Sequence, residues 1–243
     1  MAAGTRRTRA VGFITIGQSP RPDILGEFER TLGECRFVQA GALDDLSDGA
    51  VEELAPQGGE AVLVSRLRSG REVRLAHRHI EPRVQACLDR LAEEGVDLAV
   101  LLCTGDFPSL RPRGTLLRPE RVVRHVAAAV LDGIRTRPRE EMRLGVLVPD
   151  AAQVAGAEAR WRALAPAVAA PASPYADTDG PEAAARALRA AGADLIVMDC
   201  MGYTRATQRA VSRASGVPAV LAAGAVALVI RELLEGRGDA DRG

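Results

Sequence analysis

Four cysteines punctuate the chain, at Cys35, Cys87, Cys103 and Cys200. Two of them close the same phrase. Gly95 to Gly105 reads GVDLAVLLCTG and Gly192 to Gly202 reads GADLIVMDCMG. The stretches align without a gap and share Gly, Asp, Leu, Val, Cys and Gly. Each is an apolar run of strand type that ends at a thiol and then a glycine. Ligands of parallel sheets bind beyond the carboxyl ends of the strands. Free backbone N–H groups there hold a carboxylate or an enolate oxygen, and they are expected to draw a thiol pKa down toward neutrality. Two such thiols on opposite walls of one cleft have a specific use. One removes a proton from a carbon next to a carboxylate, and the other delivers a proton to the opposite face. Configuration inverts with no metal and no pyridoxal phosphate. Cys103 and Cys200 are therefore the candidate acid–base pair. Cys87 fits the apolar face of a helix, and both Cys87 and Cys35 read as structural cysteines.

A second set of groups would hold an anion. The first strand runs into Gly17-Gln18-Ser19-Pro20-Arg21-Pro22-Asp23. There Gln18 and Ser19 offer donors and Arg21 a bidentate carboxylate clamp; equally, the two prolines merely stiffen a turn and Arg21 is solvated. The backbones of Thr104, Gly105, Met201 and Gly202 join this set, with Thr104 and Thr204 as hydroxyl donors. Asp106 and Tyr203 are expected on the pocket wall. Asp199 precedes Cys200, but neighbouring strand residues face opposite sides. Asp150 reads as a helix cap. His77-x-His79 stands at an expected strand end or loop and does not amount to a metal site. No C-x-x-C spacing exists, and no metal or cofactor is called for.

Elements must carry these groups. Apolar, β-branched runs predict strands at Val11–Ile16, Arg36–Ala40, Asp97–Leu102, Arg143–Val148, Val168–Ala170, Asp194–Met198 and Pro218–Leu221. Helical periodicity marks Asp23–Leu32, Asp48–Leu54, Ile80–Glu94, Pro119–Leu131, Ala151–Leu164, Pro181–Ala191, Thr204–Ser215 and Val226–Leu234. Gly95 and Gly192 terminate the helices before the repeated strands. Ala61–Leu67 and Arg71–Ala76 predict a hairpin with no counterpart in the second half. Phe107–Pro119 reads as a loop, and a frayed tail is expected from Gly236. Strands alternating with helices imply parallel α/β layers. RAVGFITIG at Arg9 also rhymes with MRLGVLVPD at Met142. The expected fold class is α/β, with two pseudo-symmetric parallel-sheet units facing a central cleft. The first unit takes residues 1–119 and 220–243, with the extra hairpin at 61–77. The second takes 120–219.

Composition narrows the chemistry. All 32 basic residues are arginine and balance 32 acidic ones. Without lysine there is no Schiff base and no P-loop cation. With 3% aromatic residues and no basic block, nucleic-acid binding is not expected. No run is long and apolar enough to span a membrane. Arg6, Arg7 and Arg9 precede no apolar signal core, so a cytoplasmic protein is expected. A homodimer is the default assembly.

Strand-end cysteines in two similar halves resemble the aspartate/glutamate/hydantoin racemase superfamily. More closely, TIGQSPRPD (Thr15–Asp23), GALDDLS (Gly41–Ser47), LAPQGGE (Leu54–Glu60) and DCMGYT (Asp199–Thr204) resemble the AroM family, over about Val11 to Leu234. The resemblance implies a racemase-like fold. Amino-acid racemases of that superfamily carry Cys-Asn-Thr at the first cysteine. Here Thr104 and Gly105 follow Cys103, and the chain has no asparagine. The reading that results is a cofactor-independent racemase or epimerase acting beside a carboxylate or carbonyl of a small anionic substrate. A single-cysteine decarboxylase or cis–trans isomerase, and a small-carboxylate-binding protein without turnover, are its rivals.

Overall fold

The structure, a computed structural model, describes residues 10–33, 35–134, 138, 141–176 and 180–236. Arg6, Arg7 and Arg9 lie outside these residues, as does the expected tail beyond Gly236. In chain order the elements are β1 (Ala10–Thr15), α1 (Pro22–Leu32), β2 (Arg36–Gly41), α2 (Asp48–Glu52), β3 (Val62–Arg66), β4 (Glu72–Ala76), α3 (His77–Glu93), β5 (Leu98–Leu101), β6 (Thr115–Leu117) and α4 (Pro119–Gly133). There follow β7 (Leu144–Val148), α5 (Val154–Trp161), β8 (Ala167–Pro171), α6 (Gly180–Ala190), β9 (Leu195–Met198), α7 (Arg205–Ser215), β10 (Ala219–Leu221) and α8 (Ala222–Gly236).

Two four-stranded parallel sheets result, ordered β2-β1-β5-β6 and β8-β7-β9-β10, with β3-β4 as a separate antiparallel hairpin. The two orders are the same topology. β5 and β9, whose ends carry the two cysteines, hold the same place beside the strand that opens each unit. Their residues are all buried, as strands covered on both faces require. Gly95 and Gly192 sit before them at φ 77° and 89°, a left-handed conformation that glycine adopts without a Cβ clash. The sequence repeat is thus a repeat of helix end, strand and strand-end turn.

One apolar core joins the units. Val11, Phe13 and Val100 from the first sheet share it with Val146, Leu195 and Val197 from the second. α1, α4 and α8 fill the space between, and α8 packs on both α1 and α4. Separate outer cores lie behind each sheet. The strand ends are therefore anchored in a common interior and open toward each other.

Several expectations are corrected. The stretch expected as a loop, Phe107–Pro119, contains β6, which pairs with β5 in register Leu98 to Thr115. Proline and arginine around it masked a short edge strand. The helix expected over Ala151–Leu164 is a 3-10 turn at Ala151–Gln153 followed by α5, ending at Trp161. The last helix begins at Ala222, directly after β10. His77 and His79 stand in the first turn of α3, because β4 passes into that helix without a loop. Asp150 does cap its turn, accepting from the Ala152 N–H within a capping box closed by Gln153.

Candidate active site

Both strand-end cysteines line one cavity of about 270 Å³. Its floor is the pair of strand ends, with Cys103, Thr104 and Gly105 from one unit and Asp199 and Cys200 from the other. The ends touch: the Thr104 hydroxyl donates to the Asp199 carbonyl at 3.0 Å. That bond ties the residue after one thiol to the residue before the other. Ala61 and the β3 residues Val62 to Ser65 line the cavity from the first unit, and Val148, Pro149, Ala152 and Gln153 from the second. The hairpin is held over the cleft from the second unit. Gln153 Nε2 donates to the Val62 carbonyl at 3.0 Å, Arg74 pairs with Asp150 at 3.0 Å, and Ser173 donates to Glu72.

Each thiol is cradled by its own turn. The Gly105 N–H points to Cys103 Sγ at 3.3 Å and the Gly202 N–H to Cys200 Sγ at 3.4 Å. These donors favour thiolates, as the sequence leads one to expect, yet burial outweighs them. It pushes Cys103 up to about 12 and Cys200 up to about 11, against the pull of Gly105 and Gly202. The expectation of thiols near neutrality is thus corrected. One N–H at sulfur distance does not offset removing a thiolate from water. Only Cys200 has a nearby cation, Arg21, pulling it down, whereas Cys103 is raised further by Cys200 and Asp199 at the other strand end.

The remaining candidates divide. Thr104 and Gly105 line the cavity with the cysteines. Gly202 sits against Tyr175, and a Cβ there would come within 2.7 Å of the phenol oxygen. Met201 lies in the central core instead, and Thr204 caps α7 by accepting from the Thr207 N–H. Gln18 is tied to backbone, donating to the carbonyls of Leu43 and Leu46 and accepting from the Arg68 N–H. Ser19 binds both oxygens of Asp44. Those contacts fasten the first loop to the neighbouring loop and the hairpin tip, outside the thiol cavity.

Arg21 is 3% exposed and fully engaged. Its five N–H groups meet both oxygens of Asp23, the hydroxyls of Thr15 and Ser65, and Tyr175 Oη at 3.2 Å. The guanidinium also stacks 5.5 Å above the Tyr175 ring. Arg21 therefore positions Tyr175, a wall residue beside Cys200, across the interface between the units.

Sequence reasoning missed three participants. Tyr175 lies in an irregular stretch after β8 with no local pattern. Arg160 and Trp161 end α5, and both reach the buried carboxylate of Asp199, at 2.6 Å from Arg160 Nη2 and 2.9 Å from Trp161 Nε1. Asp199 lines the thiol cavity together with Cys200, and no local signal showed that its carboxylate meets Arg160 and Trp161. His77 Nε2 meets the Asp106 carbonyl at 2.7 Å on the cavity wall. Tyr203 is buried and donates to the Ala172 carbonyl at 2.6 Å. Among the described residues no group of three His, Cys, Asp or Glu side chains gathers around a metal position. No helix among them is long and apolar enough to cross a membrane.

The AroM protein family matches the chain over residues 11–234. No curated protein sequence matches it. Among solved structures, arylmalonate decarboxylase superposes with a TM-score of 0.59 at 15% identity, covering 94% of this chain and 93% of that one. Glutamate racemase from Aquifex pyrophilus gives 0.55 at 13% identity, over 92% and 83% of the respective chains. Allantoin racemase from Pseudomonas fluorescens gives 0.53 at 12%, over 93% and 91%. At these identities the likeness is one of fold, which is racemase-like.

Proposed function

The chain belongs to the AroM family, and from that membership and the paired turns of the cleft we propose a cofactor-independent racemase or epimerase acting on the carbon beside a carboxylate or carbonyl. Cys103 and Cys200 are its acid–base groups, and the substrate is a small anion. One observation carries the reading: two thiols, each cradled by the N–H two residues on, line one cavity from opposite units. A structural pair of core cysteines would have no reason to face a shared hollow.

In the reaction one sulfur, as thiolate, takes the proton from the α-carbon. The C–H electron pair moves into an enolate. The other sulfur, as thiol, gives its proton to the opposite face, and the electron pair returns to carbon. The two sulfurs end with exchanged protonation and reset through solvent. Tyr175 and the Thr104 and Gly105 backbones line the same cavity and are the groups we assign to the developing enolate charge. Deuterium incorporation from solvent into 2-substituted carboxylic acids, read by NMR, tests this. Exchange is expected with wild type and absent in Cys103→Ser/Cys200→Ser. Undiminished exchange in the double variant rejects the proposal.

The difference between the two thiols favours a second reading, a decarboxylase of the same fold that uses Cys200 alone. There the C–C bond to a second carboxylate breaks, carbon dioxide leaves, and the enolate takes the Cys200 proton. It predicts loss of activity in Cys200→Ser and retention in Cys103→Ser. The raised thiols also suit a binding protein without turnover, which predicts saturable binding of a small carboxylate with no exchange.

A further inference from the structure

Arg160 stands between two cavities. The thiol cavity shares Asp106, Arg160 and Asp199 with a second hollow of about 340 Å³. Among the described residues Arg160 is the one guanidinium on the thiol-cavity wall. Its side chain is 40% exposed, while its partner Asp199 is 2% exposed. Asp199 is in turn fixed by the Trp161 indole N–H. The only side-chain bond of Arg160 among the described residues runs from Nη2 to Asp199. A guanidinium has five N–H donors, so most of this fork is unclaimed and reachable. Arg21, by contrast, has an acceptor for every N–H. The second cavity adds Arg121, Arg124 and His125 to its wall, together with the buried carboxyl of Glu120, so cations and acids alternate around the same point.

We propose that Arg160, held by Asp199, is the anchor for the substrate carboxylate. Asp199 immediately precedes Cys200, so the anchor is registered to the reacting strand end through one residue. An acid gripped at the junction of the cavities presents its neighbouring carbon to the thiol side. The assignment deepens the proposed function, but capture of the anion itself needs no thiol chemistry.

Trp161 is the only tryptophan and shares Asp199 with Arg160, so its fluorescence reports on the site. The probes are acetate, lactate and 2-phenylpropionate, each paired with its primary amide. They are titrated into full-length wild type, R160Q, R160K and Cys103→Ser/Cys200→Ser, each checked for folding by circular dichroism. Carboxylates are expected to bind at least about tenfold more tightly than amides in wild type. R160Q should bring the acids to the level of their amides, and R160K should fall between, because a point charge replaces a fork. Equal binding of acid and amide by wild type overturns the anchor. So does a carboxylate preference that survives R160Q, or the lack of any saturable response. If R160Q does not fold, R160K with undiminished carboxylate affinity overturns it. Wild-type binding in the double cysteine variant, alongside absent exchange in wild type, would uphold the anchor while rejecting the two-thiol reaction.

Discussion

The turns at Cys103 and Cys200 are the same object placed in two surroundings. In both, a buried strand stops, a thiol follows, and the N–H two residues on points back at sulfur. One residue earlier the copies part. Leu102 is buried in the central apolar core, while Asp199, its aligned counterpart, carries a buried carboxylate between Arg160 and Trp161. One residue later Thr104 bonds across to Asp199, whereas Met201 packs in the core. Cys200 has Tyr175 and Arg21 close by; the surroundings of Cys103 are the hairpin, Phe107 and the other thiol. The local frame was kept in both halves and its neighbours were not. In the proposed reaction the equal frames give the two sulfurs matching roles, while unequal neighbours put cationic help from Arg21 at Cys200 alone.

The comparison can be broken where the copies differ most. Asp199→Leu writes the first unit's residue into the second. If the halves were interchangeable, it would be tolerated. The expected cost is about 2–4 kcal/mol in urea unfolding, because Arg160 and the Trp161 N–H lose a buried charged acceptor. The Trp161 emission should shift with it.

A smaller contrast lies one step past the sulfurs. At Gly202 a Cβ would come within 2.7 Å of the Tyr175 hydroxyl, whereas at Gly105 the nearest atom is a Leu63 methyl at 3.1 Å. Tyr175 is held by Arg21 and cannot easily yield. Gly202→Ala should therefore cost about 1–3 kcal/mol and Gly105→Ala under about 1. Equal losses would mean that the Tyr175 contact is not the distinction between the turns.

The effect that comes last is one the thiols share, and it shows only at alkaline pH. A free cysteine in an unfolded chain titrates near 8.5, whereas burial holds Cys103 up to about 12 and Cys200 up to about 11. The folded state keeps protons that the unfolded state gives up. The resulting stability is full below about pH 8.5 and is lost as pH climbs toward the folded values. Tm should fall between pH 8 and 10, less steeply in Cys103→Ala and Cys200→Ala. Cys87, raised to about 11 by burial, contributes in the same sense. Iodoacetamide labelling of the ligand-free cleft should be slow at pH 7 and rise through the same alkaline range. A Tm that does not change over this range, or fast labelling at neutral pH, would show that the thiols are not shielded as the cleft implies.

Local pattern was enough for much of the fold. Apolar runs bounded by Gly95 and Gly192 announced β5 and β9, and the repeat announced two like units with a cysteine at each matched strand end. The edge strand Thr115–Leu117 was hidden because three residues beside proline and arginine carry too little periodicity, and its pairing with β5 is what makes it a strand. Residue chemistry alone also pointed to Arg21 as the clamp, since an arginine in a loop after the first strand looks available. Its availability was decided by Asp23, Thr15, Ser65 and Tyr175, the last of them from the other unit. Arg160 was invisible for the opposite reason: its surface helix gives no sign that Asp199 lies beneath it. The direction of the thiol pKa was decided in the same way. The donating N–H is local and legible two residues away, but desolvation is summed over every wall of the cleft, and those walls come from distant parts of the chain.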